Sequence, residues 1–147
     1  MLLYEMLANR VLTTCVTAWF VAQVLKVVFY YLLERRWDLG RMFGLGGMPS
    51  SHSAVVCALS TAVGVSRGFY SPEFAIAFVL AAVVMTDAAG VRRAAGKQAA
   101  LLNRIMRELT EEGKGLTHET LKELLGHSPF EVMIGALLGV LTAVLIM

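Results

Sequence analysis

The chain has 147 residues and a formal net charge of +2, with 57% hydrophobic and only 16% charged residues and a mean hydropathy of +0.67. Soluble globular domains carry about 45–50% apolar and about 25% charged residues, so the composition excludes an ordinary soluble domain and points to an integral membrane protein. Length suits one membrane-embedded domain over residues 1–147, and the basic residues flank apolar segments without interleaved aromatics, so no nucleic-acid partner is expected.

The first apolar run, Val11 to Leu33, is long enough to cross a bilayer, which needs about 20 residues. Its apolar core is too long for a cleavable signal peptide, and no small-residue cleavage site follows it. Trp19, Gln23, Lys26 and Tyr30 fall at helical spacing on one face. Lys26 either snorkels to the interface near Tyr30, Tyr31 and Arg35 or faces the bundle interior and marks a ligand path; Gln23, one turn away, favours the second. Cys15 and Cys57 lie inside apolar runs and read as small buried hydrophobes, with no disulfide framework or metal motif.

A polar connection from Glu34 to Arg41 leads into Gly44-Leu45-Gly46-Gly47-Met48-Pro49-Ser50-Ser51-His52-Ser53. Glycines let the backbone close around a ligand, the serines supply hydroxyls and an N-cap, and the free N–H groups of a helix start favour an anion. The plainer reading is a Gly-rich loop before an ordinary capped helix. Two further apolar segments follow, from Ser51 to about Val65 and from Phe74 to about Ala89, both short for a full crossing. Ala54, Ala58 and Ala62, like Ala77 and Ala81, recur every four residues and predict close helix packing.

From Val91 to about Glu112 the pattern becomes amphipathic. Leu101, Leu102, Ile105, Met106 and Leu109 share one side, and Arg93, Lys97, Arg104, Arg107, Glu108 and Glu111 mostly point away. This predicts a helix on the membrane surface, or a solvated connector packed on the bundle. A short helix capped by Thr117 would end at Gly126, with His118 a surface residue. The last apolar segment, ending at Met147, opens with His127-Ser128-Pro129-Phe130-Glu131, where Ser128, Pro129 and Glu131 form a capping box. Gly135 and Gly139 give it a small-residue face that could pack within the bundle or across a homodimer interface.

Four apolar segments put connections 34–50 and 90–129 on one side of the membrane. Between them these connections hold Arg35, Arg36, Arg41, Arg92, Arg93, Lys97, Arg104, Arg107, Lys114 and Lys122, against Arg67 alone in the short opposite connection and Arg10 in the N-terminal tail. The positive-inside rule therefore places both in the cytoplasm. Lys26, Ser50, Ser51, His52, Asp87, Arg92, Arg93, His127 and Glu131 all map to that face.

Such a cluster suits phosphoryl transfer. Cations and loop N–H groups can hold the phosphoryl oxygens, one histidine can attack phosphorus, and another can protonate the leaving oxygen. His127, just before a helix start, sits at the positive dipole end, which favours the neutral imidazole that an attack needs. His52 is then the acid. Glu131, four residues after His127, is spaced to orient the imidazole, or simply closes the capping box.

Gly47-Met48-Pro49-Ser50-Ser51-His52-Ser53-Ala54, Asp87-Ala88-Ala89-Gly90-Val91-Arg92-Arg93 and Leu124-Leu125-Gly126-His127-Ser128-Pro129-Phe130-Glu131 together resemble the divergent, largely bacterial branch of the type 2 phosphatidic acid phosphatase family. That family is related to acid phosphatases and vanadium-dependent haloperoxidases. The resemblance covers nearly the whole chain. It implies that Ser50 and Ser51 hold phosphate, that His52 is the acid, that His127 and Glu131 are nucleophile and orienting carboxylate, and that Lys26 is the first motif's lysine. The chain departs from the parent pattern where Ser51 replaces glycine, Glu131 replaces aspartate, Leu33 stands seven residues after Lys26, Arg41 lacks a following proline, and Leu121 occupies an arginine position. Arg92 or Arg93 could restore the missing charge. The parent fold has six membrane helices, so either four suffice here or a second subunit completes the site.

The expectation is an all-α polytopic membrane bundle of about four transmembrane helices with a surface amphipathic helix, in a bacterial inner membrane. Its expected function is hydrolysis of a membrane lipid phosphate or pyrophosphate through His127, His52 and Glu131, without cofactor or metal. Lys26, Arg41, Ser50, Ser51, Asp87, Arg92 and Arg93 are the phosphate-binding candidates. Two alternatives are a non-catalytic lipid-phosphate binding or transport protein and a metal site of His52, Asp87, His127 and Glu131.

Overall fold

The structure, a computed structural model, describes residues 1–37, 40, 47–111, 121 and 126–147. They form α1 (Leu2–Ala8), α2 (Arg10–Glu34), α3 (Ser51–Arg67), α4 (Pro72–Ala89), α5 (Val91–Glu111) and α6 (Pro129–Ile146). Short polar side chains start the main helices by accepting a hydrogen bond from an otherwise unpaired first-turn N–H: Asn9 for α2, Ser50 for α3, Ser71 for α4 and Ser128 for α6. Pro72 and Pro129 follow two of these caps, where a missing N–H costs nothing. The expected boundaries agree to within two residues.

Helix α3 is the centre, packed against α2, α4 and α6. Small residues make this arrangement work. Ala54, Ala58 and Ala62 are fully buried, Ala18 and Ala22 of α2 likewise, and Ala77 and Ala81 of α4 nearly so. On α6, a Cβ at Gly135 would strike the Ser50 carbonyl oxygen, and one at Gly139 would strike that of Ala54. The glycine face is therefore used within the chain, where the helix backbones touch.

Helices α2 and α6 and the apolar segment that begins at Pro72 are each long and apolar enough to cross a membrane. With 17 residues α3 rises about 25 Å and is shorter. It also carries Ser51, Ser53 and Ser60 on its buried surface, which is tolerable because its neighbours are protein helices and not lipid. Large apolar side chains instead face outward, among them Ile76, Val79, Val83, Leu137, Leu141 and Leu145. That inversion is what a bilayer as solvent demands, and the protein is an integral membrane bundle of about four helices.

In α2 the buried stripe runs through Thr14, Ala18, Ala22, Gln23 and Lys26, while Trp19 is 38% exposed. Lys26 is thus an interior lysine and does not snorkel. Cys15 and Cys57 are free and buried, as expected of small hydrophobes. Helix α5 is amphipathic: Ala99 and Asn103 are buried, and Leu101, Leu102 and Ile105 are exposed. Asn103 clamps Leu121, its Nδ2 donating to the carbonyl at 2.8 Å and its Oδ1 accepting from the N–H at 2.9 Å. Arg41, most of the glycine loop and most of the expected helix at 117–126, including His118, lie outside the described residues.

Candidate functional site

Three helix ends are laced together on one face of the bundle. Ser50 N–H, at the start of α3, donates to the Glu131 carbonyl of α6 at 3.1 Å, and His127 N–H donates to the Ala88 carbonyl at the end of α4 at 3.0 Å. Gly126 makes this approach feasible. Its φ is +89°, and a Cβ there would collide with the backbone of Arg92 and Arg93, so the strand of chain before His127 lies directly on the first turn of α5. Residues that are far apart in sequence consequently share one small volume.

His127 is 4% exposed, and its Nδ1 lies 2.9 Å from Glu131 Oε2. The same Oε2 accepts from Ser128 N–H at 3.4 Å, while Ser128 Oγ accepts from Glu131 N–H at 3.3 Å. The two readings of Glu131 therefore hold together: one carboxylate closes the capping box and fixes the imidazole. With Nδ1 as the donor, Nε2 keeps its lone pair.

His52 stands opposite, exposed, its ring centroid 6.3 Å from that of His127 and the planes inclined by 61°. That separation is about twice the ~3–3.5 Å approach of reacting atoms, so both rings can reach one small group between them. Among charged groups Arg92 acts most strongly on His52, ahead of His127, Lys26 and Asp87. Arg92 Nε also donates to Asp87 Oδ2 at 2.7 Å, with both side chains partly exposed. No such contact ties Arg93 to the described site; its backbone serves as the surface on which Gly126 packs.

Lys26 is 5% exposed and donates from Nζ to Ser51 Oγ at 3.2 Å. Glu131 is the charge that acts on it. Ser50 is fully buried, and its Oγ accepts from both the N–H and the hydroxyl of Ser53, at 3.3 and 3.0 Å. Ser50 thus caps α3, and Ser51 is the serine that meets a cation. Sequence reasoning gave Ser53 no role, although its place three residues after the cap was the available signal. Gln23, one turn from Lys26, is 6% exposed, and among the described residues its Oε1 has no hydrogen-bond partner.

Of the site candidates, Lys26, Ser50, Ser51, His52, Asp87, Arg92, His127 and Glu131 gather at this junction. Among the described residues no three His, Cys, Asp or Glu side chains assemble as a metal-binding group. The arrangement offers a fixed imidazole, a second imidazole facing it, and two cations. Groups of these kinds can bind an anion and exchange a proton.

Over 147 aligned residues the chain is 40% identical to the uncharacterized membrane protein YuiD of Bacillus subtilis (strain 168), covering 93% of each chain. No solved structure matches. The family model described as the Divergent PAP2 family matches residues 7–142, so helices α2 to α5, most of α6 and every described site residue fall inside it. This protein, with its paired histidines held at three helix ends, belongs to the Divergent PAP2 family, whose name ties it to membrane phosphatases.

Proposed function

We propose that the protein is a membrane lipid phosphate or pyrophosphate phosphatase that works through a phosphohistidine, its site open to the cytoplasm. The observation that carries this reading is His127, buried, fixed by Glu131 at 2.9 Å and facing His52 across 6.3 Å. Nε2 of His127 attacks phosphorus; the N–P bond forms as the P–O bond to the lipid breaks. The leaving oxygen takes its proton from His52. Water then cleaves the N–P bond and releases phosphate, with His52 accepting the proton of that water.

Lys26, Ser51 and Arg92 hold the equatorial oxygens, where charge resides in the transition state. Asp87 keeps Arg92 at the rim, and Arg41 is a further cation candidate from the glycine loop. The cytoplasmic orientation rests on the arginines and lysines of the two long connections, and a bacterial plasma membrane is the setting that fits. Gly135 and Gly139, the candidates for a homodimer contact, face α3 of the same chain. A second reading, lipid-phosphate binding without turnover, draws support from Leu33 and Leu121, which stand where the parent motifs carry cations.

Purified protein incubated with a panel of lipid phosphates separates these readings. Hydrolysis is expected, together with a phosphoenzyme that is lost in His127→Ala. His52→Ala should slow turnover yet still form phosphoenzyme from a substrate with a good leaving group. Vanadate should inhibit and chelators should not. Phosphate release by His127→Ala at the wild-type rate would dispose of the nucleophile assignment. Binding without release in the wild type would establish the second reading.

A further inference from the structure

Helices α4 and α6 both pack on α3 and scarcely on each other. The gap between them leaves a cavity of about 230 Å³, lined among others by Cys57 and Thr61 of α3, Phe74, Ala82 and Met85 of the α4 side, and Val140 of α6. Among the described residues no charged one lines it. The floor is buried, as at Cys57 and Ala81, whereas Phe78 and Val140 are 59% and 39% exposed, so the opening is sideways, toward the lipid-facing surface.

Its position follows from helix geometry. Cys57 lies five residues beyond His52 and Thr61 nine, which at ~1.5 Å per residue places the lining about 7 to 14 Å deeper along α3. On α4, Met85 is two residues before Asp87, and its Sδ is 3.6 Å from Cys57 Sγ. The near end therefore lies just beneath the histidines. At the far end Phe69, Phe74 and Phe78 meet, with centroids 5.0 and 5.9 Å apart.

We infer that this cavity holds one hydrocarbon chain of the lipid whose phosphate sits between His52 and His127, an inference that rests on the lipid-phosphate reading. A partner helix is about 10–12 Å across with its side chains and does not fit such a volume. An apolar chain does: cavities of ~150 Å³ already accept a benzene ring. An uncharged wall gives a chain nothing to desolvate, and the phosphate fixes its upper end. Substrate selection then has two parts, a charged head at the helix ends and a single chain threaded between α4 and α6.

The probe is a phosphatidic acid carrying a photoactivatable diazirine near the middle of one acyl chain, used on the full-length protein in nanodiscs. Cross-links mapped by mass spectrometry should concentrate at Thr61, Phe78, Ala82 and Val140. Unlabelled phosphatidic acid at tenfold excess should lower them roughly tenfold by mass action. Diacylglycerol, which has the tails alone, and inorganic phosphate, which has the head alone, should compete far less. Ala82→Trp should reduce this labelling and leave turnover of a short-chain, water-soluble phosphate ester unchanged; Val140→Trp repeats the test from the opposite wall. Cross-links scattered over outward residues such as Ile76, Val79 and Leu145 would overturn the inference, and so would equal competition by diacylglycerol. Labelling reads binding and not turnover, so it also works in His127→Ala. Scattered labels with intact hydrolysis sink the chain site alone, and confined labels without hydrolysis sink the phosphatase alone.

Discussion

Gly139→Ala tests the helix contact on which the site depends. The added Cβ would meet the Ala54 carbonyl oxygen and lie 2.9 Å from both Ala54 C and Ala58 N, where ordinary contact begins at 3.4 Å. All of these are backbone atoms of α3, which cannot rotate away as a side chain could. Helix α6 must then retreat by at least about half an ångström, and a gap of ~0.5–1 Å forfeits a quarter to a half of each dispersion contact nearby. Overpacking of this kind costs about 1–3 kcal/mol, and a backbone obstacle puts it at the upper end. Alanine's better helix propensity returns about 1 kcal/mol. The net expectation is a loss of about 2 kcal/mol, read as a lower midpoint in thermal or denaturant unfolding of detergent-solubilised protein. Val144→Leu, on the exposed side of α6, is the control and should change little. A Gly139→Ala protein as stable as the wild type would show that α6 does not rest on α3 at this point. A change in oligomeric mass without loss of stability would instead return the glycines to a subunit contact.

Glu131→Gln should retain most of the capping hydrogen bonds yet lower turnover far more than stability, about 10²-fold or more, because the imidazole loses its charged orienting partner; equal turnover would refute the pairing. Arg92→Gln is expected to cost about 10²–10³ in kcat, the scale for one charge-stabilising donor, and Arg93→Gln much less. The reverse order would show that the wrong arginine has been assigned. Lys26→Met, which fills the same space without charge, should raise the concentration of lipid phosphate needed for half-maximal binding, measured in nanodiscs; unchanged binding would make Lys26 structural. For orientation, a cysteine at Arg104 in a Cys15→Ala, Cys57→Ala background should resist an impermeant thiol reagent in intact cells and react after permeabilisation. Labelling in intact cells at that position, with none at Tyr70, would invert the protein.

What the sequence determined by itself was local or solvent-driven. Hydropathy marked the apolar segments because the bilayer selects for them residue by residue, and Ser50, Ser128, Pro129 and Glu131 marked helix starts because capping acts within one turn. The order of four apolar segments brought Lys26, His52, Asp87, His127 and Glu131 to one membrane face without any knowledge of packing. The tertiary structure decided what depends on approach between segments distant in the chain. It made α3 the centre, although α3 is the shortest of the four bundle helices, because alanines and α6 glycines allow backbone contact there. It chose the interior over the interface for Lys26 by setting Ser51 against its ammonium. It separated Arg92 from Arg93, neighbours that sequence could not rank, by turning one toward Asp87 and using the backbone of the other as a seat for Gly126. It also opened the gap between α4 and α6, which no periodicity announces, since a void is a property of three helices together and of no one of them.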